Sequence, residues 1–303
     1  MRARITLLLF AILYSFTCLA QTNFEKHFTK KSLRIDFALS GNWDFQAAAI
    51  QQLREEPVWA GPVKNLIDPF GYGGYYINVY DKAGKELIYS RGFNTLFEEW
   101  RSTEQAKTET QSWTNSISIP YPKAPVIIEI TARDKADMQF HPLLKQEIDP
   151  ASIFIDRGKL KENRITKIQY NGDSSGKVDL VFLAEGYTAD EQEKFVADAK
   201  RFTEALFKTP PYDTRREDFN VWAVDAVSEE SGTDVSGKGI FKNTALNSGY
   251  YTFGVDRYLT TPDMKSIRDA VWNAPCDAIF ILVNTDAYGG GGCLLYTSPS
   301  PRD

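Results

Sequence analysis

Histidine and cysteine are scarce in this chain of 303 residues, which has two of the first and three of the second. Each scarcity removes a class of chemistry. Neither His27 nor His141 belongs to an H-E-x-x-H arrangement, in which two imidazoles four apart on a helix share one face and one metal ion. His27 follows closely on an N-terminal leader and His141 stands beside Pro142, so both read as surface or core residues. Of the cysteines, Cys18 falls in the leader and Cys293 in the C-terminal tail, which leaves Cys276. One thiol makes no internal disulfide, and between Pro275 and an apolar run it reads as a small buried hydrophobe, not a nucleophile. Positive charge is also short. The formal net charge is −5 and becomes −7 without the two arginines of the leader, which argues against nucleic acid or an anionic membrane as partner. Long apolar runs are missing too: residues 5–17 form the longest, too short for a hydrocarbon core of about 30 Å.

What is present begins with that leader. Arg2 and Arg4 precede the apolar run, and Cys18-Leu19-Ala20 supplies small residues for cleavage after Ala20. Residues 1–20 therefore read as a signal peptide, with export to the periplasm or the cell exterior. A lipoprotein reading, with Cys18 as first mature residue, fits Ser15-Phe16-Thr17 poorly. With 43% hydrophobic and 25% charged residues the composition is globular, and the length suits about two domains of roughly 150 residues. Aromatic residues make up 13%. They suit the core of a β-rich domain first, and carbohydrate or peptide contact second.

Over residues 33–131 the pattern is strands: Leu33-Arg34-Ile35-Asp36-Phe37 alternates with period two, residues 75–89 read as a hairpin with a glycine-containing turn, and residues 113–119 and 125–131 follow. Short strands with turn signals suggest a β-sandwich over residues 21–150, with residues 140–150 as the connection to the next domain. From residue 164 the pattern changes. The apolar run 178–183 reads as a buried strand. Thr188 and Glu191 make a capping box, and Phe195, Ala199, Phe202 and Leu206 form the apolar stripe of a helix ended by Pro210-Pro211. Residues 219–225 and 277–284 read as further strands. A second helix is expected from Thr261 with Pro262 at its first position and Met264, Ile267 and Val271 as its buried stripe. Strands alternating with helices indicate an α/β layer over residues 151–292.

Three arrangements bear on chemistry. Gly172-Asp173-Ser174-Ser175-Gly176 matches the G-x-S-x-G elbow of serine hydrolases, but the elbow needs a strand before and a helix after it. Here a strand follows and both histidines precede Ser174, so the segment reads as a hairpin turn. Glu185, Asp225 and Asp286 follow apolar strand runs, at the sheet end where α/β sites form. They either line a cleft and hold a hard cation or serve as turn and cap residues, the simpler reading. No catalytic or metal-ligating residue is assigned.

Several segments carry a resemblance. Val181-Phe182-Leu183-Ala184-Glu185-Gly186-Tyr187-Thr188 resembles the IgA-peptidase family of secreted zinc metallopeptidases, metallopeptidase family 64. So do Glu230-Ser231-Gly232-Thr233-Asp234, Tyr251-Thr252-Phe253-Gly254, residues 257–261, and residues 284–292 with their glycine run. Residues 91–100 are similar to the β-rich domain that accompanies this peptidase. The resemblance implies an α+β two-domain protein: an N-terminal β-sandwich followed by the leading part of an α/β zincin-like metallopeptidase domain. It implies zinc for the full-length protein, held by an H-E-x-x-H helix after the glycine run, and a protein or peptide substrate paired beside the preceding strand. Asp286, Tyr288 and Gly290 are then the candidates to flank the substrate cleft. Residues 293–303 resemble the translation of a sequencing adapter, so the chain is expected to be a fragment that stops before the zinc motif, binds no zinc and is inactive. The alternative is an exported non-catalytic β-sandwich module that binds glycan or protein. One expectation is directly measurable: N-terminal sequencing of the exported product should begin at Gln21, and a lipid-modified Cys18 would overturn it.

Overall fold

The computed structural model describes residues 23–291. The expected leader and the expected adapter tail lie outside the described residues. The architecture is of the α+β class, with three four-stranded sheets and few helices. After the short helix α1 (Phe24–His27), the strands β1 (Phe28–Gly41), β2 (Gln46–Glu56), β3 (Tyr75–Asp81) and β4 (Leu87–Phe93) follow in turn. Helix α2 (Leu96–Trp100) precedes β5 (Gln111–Pro122), β6 (Val126–Arg133), β7 (Phe140–Ile148) and the two-residue β8 (Ile155–Asp156). One sheet has the order β5-β1-β2-β8 and the other β4-β3-β6-β7. Along β1 the odd residues Leu33, Ile35, Phe37 and Leu39 are fully buried and share one hydrophobic core with Ile77, Val79, Ile128 and Ile130 of the second sheet. Phe93 joins the layers, its ring 6.0 Å from Phe37 and 5.4 Å from Tyr75.

Two features of this unit depart from the pattern reading. Residues 140–150 are not a plain connection. β7 pairs antiparallel with β6, with a register shift between Ile130 and Thr131 where Pro142 comes opposite. A proline is admitted there because β7 has β6 alone as a hydrogen-bonded neighbour, and an edge strand tolerates a residue without an N–H. β2 was not evident at all. Its Gln-Ala-Ala-Ala-Ile-Gln-Gln-Leu-Arg-Glu-Glu sequence is rich in helix formers, yet it pairs with β1 from Gln46 to Glu56.

The second unit contains β9 (Ile165–Gln169), β10 (Val178–Glu185), helix α3 (Gln192–Leu206), β11 (Phe219–Val224), helix α4 (Met264–Ala270) and β12 (Ala278–Val283). The sheet order is β12-β10-β11-β9, with β10 parallel to both neighbours and β9 antiparallel at the edge. β10 is apolar almost throughout because both faces are covered. Leu180, Phe182 and Ala184 pack with Phe195 and Ala199 of α3, while Val181 and Leu183 pack with Met264, Ile267 and Val271. β9 pairs with β11 and not with β10, so the Gly172–Gly176 segment is not a hairpin turn. It is a connection closed by a short 3₁₀ turn that Asp173 caps. The capping box forms at Thr188, but the first turn is 3₁₀ and the α-helix begins at Gln192. Phe202 is 42% exposed; the buried place belongs to Thr203, whose hydroxyl donates to the Ala199 carbonyl at 2.8 Å. Likewise α4 begins at Met264, capped by Asp263, because buried Thr261 donates its hydroxyl to the Leu246 carbonyl. β12 is the sheet's edge. Leu282 is buried while Phe280 is 49% exposed.

The two units are welded through charge. Arg34, fully buried on the outward face of β1, forms a bidentate pair with Asp36, both bonds 2.8 Å. It also reaches Asp269 of α4 at 2.7 Å and Glu56 at 3.5 Å. Arg268 adds an ion pair with Glu56 at 3.5 Å and a hydrogen bond to Ser118 at 2.6 Å. Replacing Arg34 by Ala leaves Asp36 and Glu56 as buried charges without this partner, and breaking such a pair costs about 3–5 kcal/mol. Urea unfolding should show a loss of that size for Arg34→Ala, and a smaller one for Asp269→Asn, whose side chain is 27% exposed.

A half-buried acid carries a pH signature. Asp277 and Asp179 bond reciprocally at the foot of β12: the Asp277 N–H donates to the Asp179 carbonyl at 2.8 Å, and the Asp277 carboxyl accepts from the Asp179 N–H at 2.9 Å. Burial above all, with the Asp179 charge adding to it, pushes the Asp277 carboxyl from 3.8 up to about 7. Between those pH values the folded chain holds a proton that the unfolded chain has released, so this group's stabilisation is complete below 3.8 and is lost as pH rises through about 7. Asp277→Asn should therefore be more stable than the parent at about pH 8, with the gap shrinking towards about pH 5. A constant gap in thermal melts across that range would contradict this.

Candidate functional site

The site candidates gather beyond the carboxyl ends of β10 and β12, because the segments singled out along the sequence fold onto one another there. Gly186 follows β10 with φ 69°. A Cβ on it would sit 1.9 Å from the Gly232 carbonyl oxygen, so only glycine fits. The contact is closed by the Gly232 N–H donating to the Gly186 carbonyl at 3.0 Å. Asn284, just after β12, donates to both the Gly186 carbonyl and the Ser231 hydroxyl at 3.1 Å. Ser231 in turn donates to Glu191 at 2.9 Å. Lys194 of α3 donates to Asn284 at 2.8 Å.

The acidic candidates have separate tasks. Glu185, fully buried at the end of β10, accepts from the Thr244 hydroxyl at 2.7 Å and from the Leu246 and Ser248 N–H groups at 2.8 Å each. It anchors the long loop back onto the sheet. Asp225 is buried and paired with Arg164 at 2.5 Å; burial outweighs that arginine and holds its carboxyl above the usual range. Asp286 is exposed. Two of the three carboxylates are thus spent on internal partners, which is the cap-and-turn role. The signal missing from the sequence was the set of partners: nothing marks Thr244, which donates to Glu185, or Asn284, which donates to Gly186, as the residues that complete these bonds.

Tyr288, 85% exposed, and Gly290 share the loop after β12 with Asp286. The glycine run lies along residues 257–260. The Gly290 N–H donates to the Arg257 carbonyl at 3.1 Å, and the Tyr250 hydroxyl donates to the Ala287 carbonyl at 2.8 Å. A Cβ on Gly289 would meet the Tyr250 ring at 2.4 Å and the Arg257 carbonyl oxygen at 2.7 Å, and one on Gly291 the Leu259 carbonyl oxygen at 2.4 Å. Gly290 has nothing within 4 Å. The run is therefore glycine at the positions where backbone meets backbone.

With this geometry in place, two family models align in order along the chain. Residues 23–143 match the Peptidase M64 N-terminus, and residues 166–300 match IgA Peptidase M64. The chain belongs to the M64 peptidase family. No curated protein matches it. M64 peptidases are metallopeptidases, which suggests zinc for the family.

The donor groups described do not fit that metal. Among the described residues, no group of three or more His, Cys, Asp or Glu side chains is placed to hold a metal ion, whereas a catalytic zinc takes three protein ligands. His141 is on β7 and bonds Asp137 at 2.8 Å. His27 ends α1, its ring 6.2 Å from that of Phe28. Burial pushes the Cys276 thiol up to about 12, far from the thiolate a metal or an electrophile would need. Ser175 donates to Asp173 at 2.5 Å, and among the described residues neither histidine bonds Ser174. No reaction step is assigned to these groups.

The glycine run gives a graded test. Gly289→Ala and Gly291→Ala should each lower the melting temperature and speed hydrogen exchange at residues 257–260, because a carbonyl must move by several tenths of an ångström. Gly290→Ala should leave both near the parent values. Equal effects at all three positions would mean that close approach is not the reason for the run.

Proposed function

We propose that the chain is the accompanying domain and the leading catalytic part of an exported zinc metallo-endopeptidase that hydrolyses proteins outside the cytoplasm. The observation that carries this reading is the ordered pair of family matches. They fall on a unit of two mainly antiparallel sheets and on a unit of mainly parallel strands with helices. The domain division proposed at about residue 150 falls in the interval between the two matched segments. In this reading the zinc ligands and the catalytic base are supplied by chain outside the described residues, after the glycine run.

The strand β12 is suited to hold substrate. It pairs with β10 on one side, and its other edge carries no strand among the described residues. An extended peptide adds to such an edge through main-chain hydrogen bonds. Asp286, Tyr288 and Gly290, all exposed in the loop that follows, would then flank the peptide. The pinned glycine run fixes the direction in which the chain leaves the sheet, and so the place where a following helix would start.

The test has two arms. Reading the source gene beyond Gly292 should reveal an H-E-x-x-H segment, and the full product should bind zinc stoichiometrically and cleave unfolded protein. The 303-residue chain by itself should bind no stoichiometric zinc and cleave nothing. A source gene that lacks the segment, or a full product without metal-dependent proteolysis, would overturn the proposal.

A further inference from the structure

A cleft of about 950 Å³ opens between the outer face of the β5-β1-β2 sheet and the segment that leads into α4. Its volume is at the upper end of the roughly 300–1,000 Å³ of small-molecule sites, which favour the junction between units. Three ionisable side chains line it, and each is already matched within the protein. Asp36 is held by Arg34 through two bonds. Asp263 accepts from the Ser266 N–H at 2.9 Å and from Asn247 at 2.9 Å. Lys265 pairs with Asp269 at 2.6 Å. A charged ligand would find no unmatched partner there.

What remains is neutral and polar. Gln51 accepts through Oε1 from the Thr114 hydroxyl at 3.1 Å, and Gln111 through Oε1 from the Trp113 indole at 3.1 Å. Each amide is thereby oriented, and neither Nε2 has a partner among the described residues. Ser112 accepts from Ser40 at 2.7 Å, which leaves its own hydroxyl proton to donate. The floor is the face of a sheet, and the backbone groups of its central strand β1 are taken by the β1-β2 and β1-β5 ladders. A polypeptide main chain would find few backbone partners on such a face, whereas hydroxyl groups match side-chain amides and hydroxyls directly.

A second observation lies at the end of the cleft. Gly41 pairs with both Gln46 and Gln111, so the β1–β2 turn projects just past Gln111. The turn is held rigidly: Asn42 accepts from the Phe45 N–H at 3.0 Å, and Arg101 donates to the Asn42 carbonyl at 2.7 Å and the Trp43 carbonyl at 3.2 Å. Yet its two aromatic side chains face water, Trp43 at 53% and Phe45 at 58% exposure. Rigid backbone with outward rings provides flat apolar faces, on which the C–H face of a sugar ring stacks. We infer that this cleft and the Trp43–Phe45 turn form a binding site for a neutral oligosaccharide. This site goes beyond the peptidase reading and does not depend on it.

The test is isothermal titration of the 303-residue chain with cellohexaose, chitohexaose and xylohexaose. At least one should bind saturably. Trp43→Ala and Gln51→Ala, both at exposed positions, should each weaken that binding about tenfold or more, with thermal melts near the parent's. Glu193→Gln, exposed on α3, should bind like the parent. Absence of binding to all three at millimolar concentration would overturn the inference. So would binding that both variants retain, or binding of unfolded casein peptides, but not of the sugars, that both variants abolish.

Discussion

The buried arginine of β1 sets the geometry on which the rest depends. A guanidinium removed from water is tolerated only where carboxylates meet it in fixed directions, and Arg34 finds them on its own strand, on β2 and on α4. Those carboxylates come from both units, so the charge requirement ties the face of one sheet to the helix that covers another. The position of α4 in turn fixes one wall of the cleft and the packing of β10 and β12 against Met264, Ile267 and Val271. Apolar burial supplies the bulk of the stabilisation in each unit. The orientation between them is decided by a few ion pairs.

The parallel sheet obeys a different logic. At its carboxyl end the chain turns where side chains are excluded, and glycine allows it. Gly186 against Gly232 and Gly289 against Arg257 are contacts of backbone with backbone. Glu185 fixes the intervening loop through three hydrogen bonds. A carboxylate at a strand end thus serves as a buried fastener, while the loop after β12 stays exposed.

Much of this was legible along the sequence, and the failures have physical causes. Period-two alternation in β1 and the long apolar run of β10 identify their strands because the burial pattern is written directly in side-chain polarity. β2 was invisible because its polar face and its small alanines hide the alternation, and pairing with β1 overrides the helical preference of its residues. β7 was masked by Pro142, which only an edge position explains. Phe202 and Thr203 exchanged roles because a threonine that bonds the preceding turn can be buried, and hydropathy alone ranks it below phenylalanine. At the site, the motifs were evident as segments, but their convergence was not. Nothing in Ser231 or Asn284 taken singly reveals that one donates to Glu191 while the other reaches across to Gly186.

The placement of Arg34 also bears on the order in which the chain is made. Synthesis runs from the N-terminus, so β1 and β2 emerge long before α4. Until then, Asp36 and Glu56 share a single arginine, and the outer face of the first sheet carries an excess of negative charge destined for the interior. That face is hydrated and repels its own kind while it waits. The arriving segment carries Arg268, Asp269 and the Lys265 paired with Asp269, so it adds one net positive charge as it covers the face. Burial of this face therefore waits on the segment that carries Arg268 and Asp269.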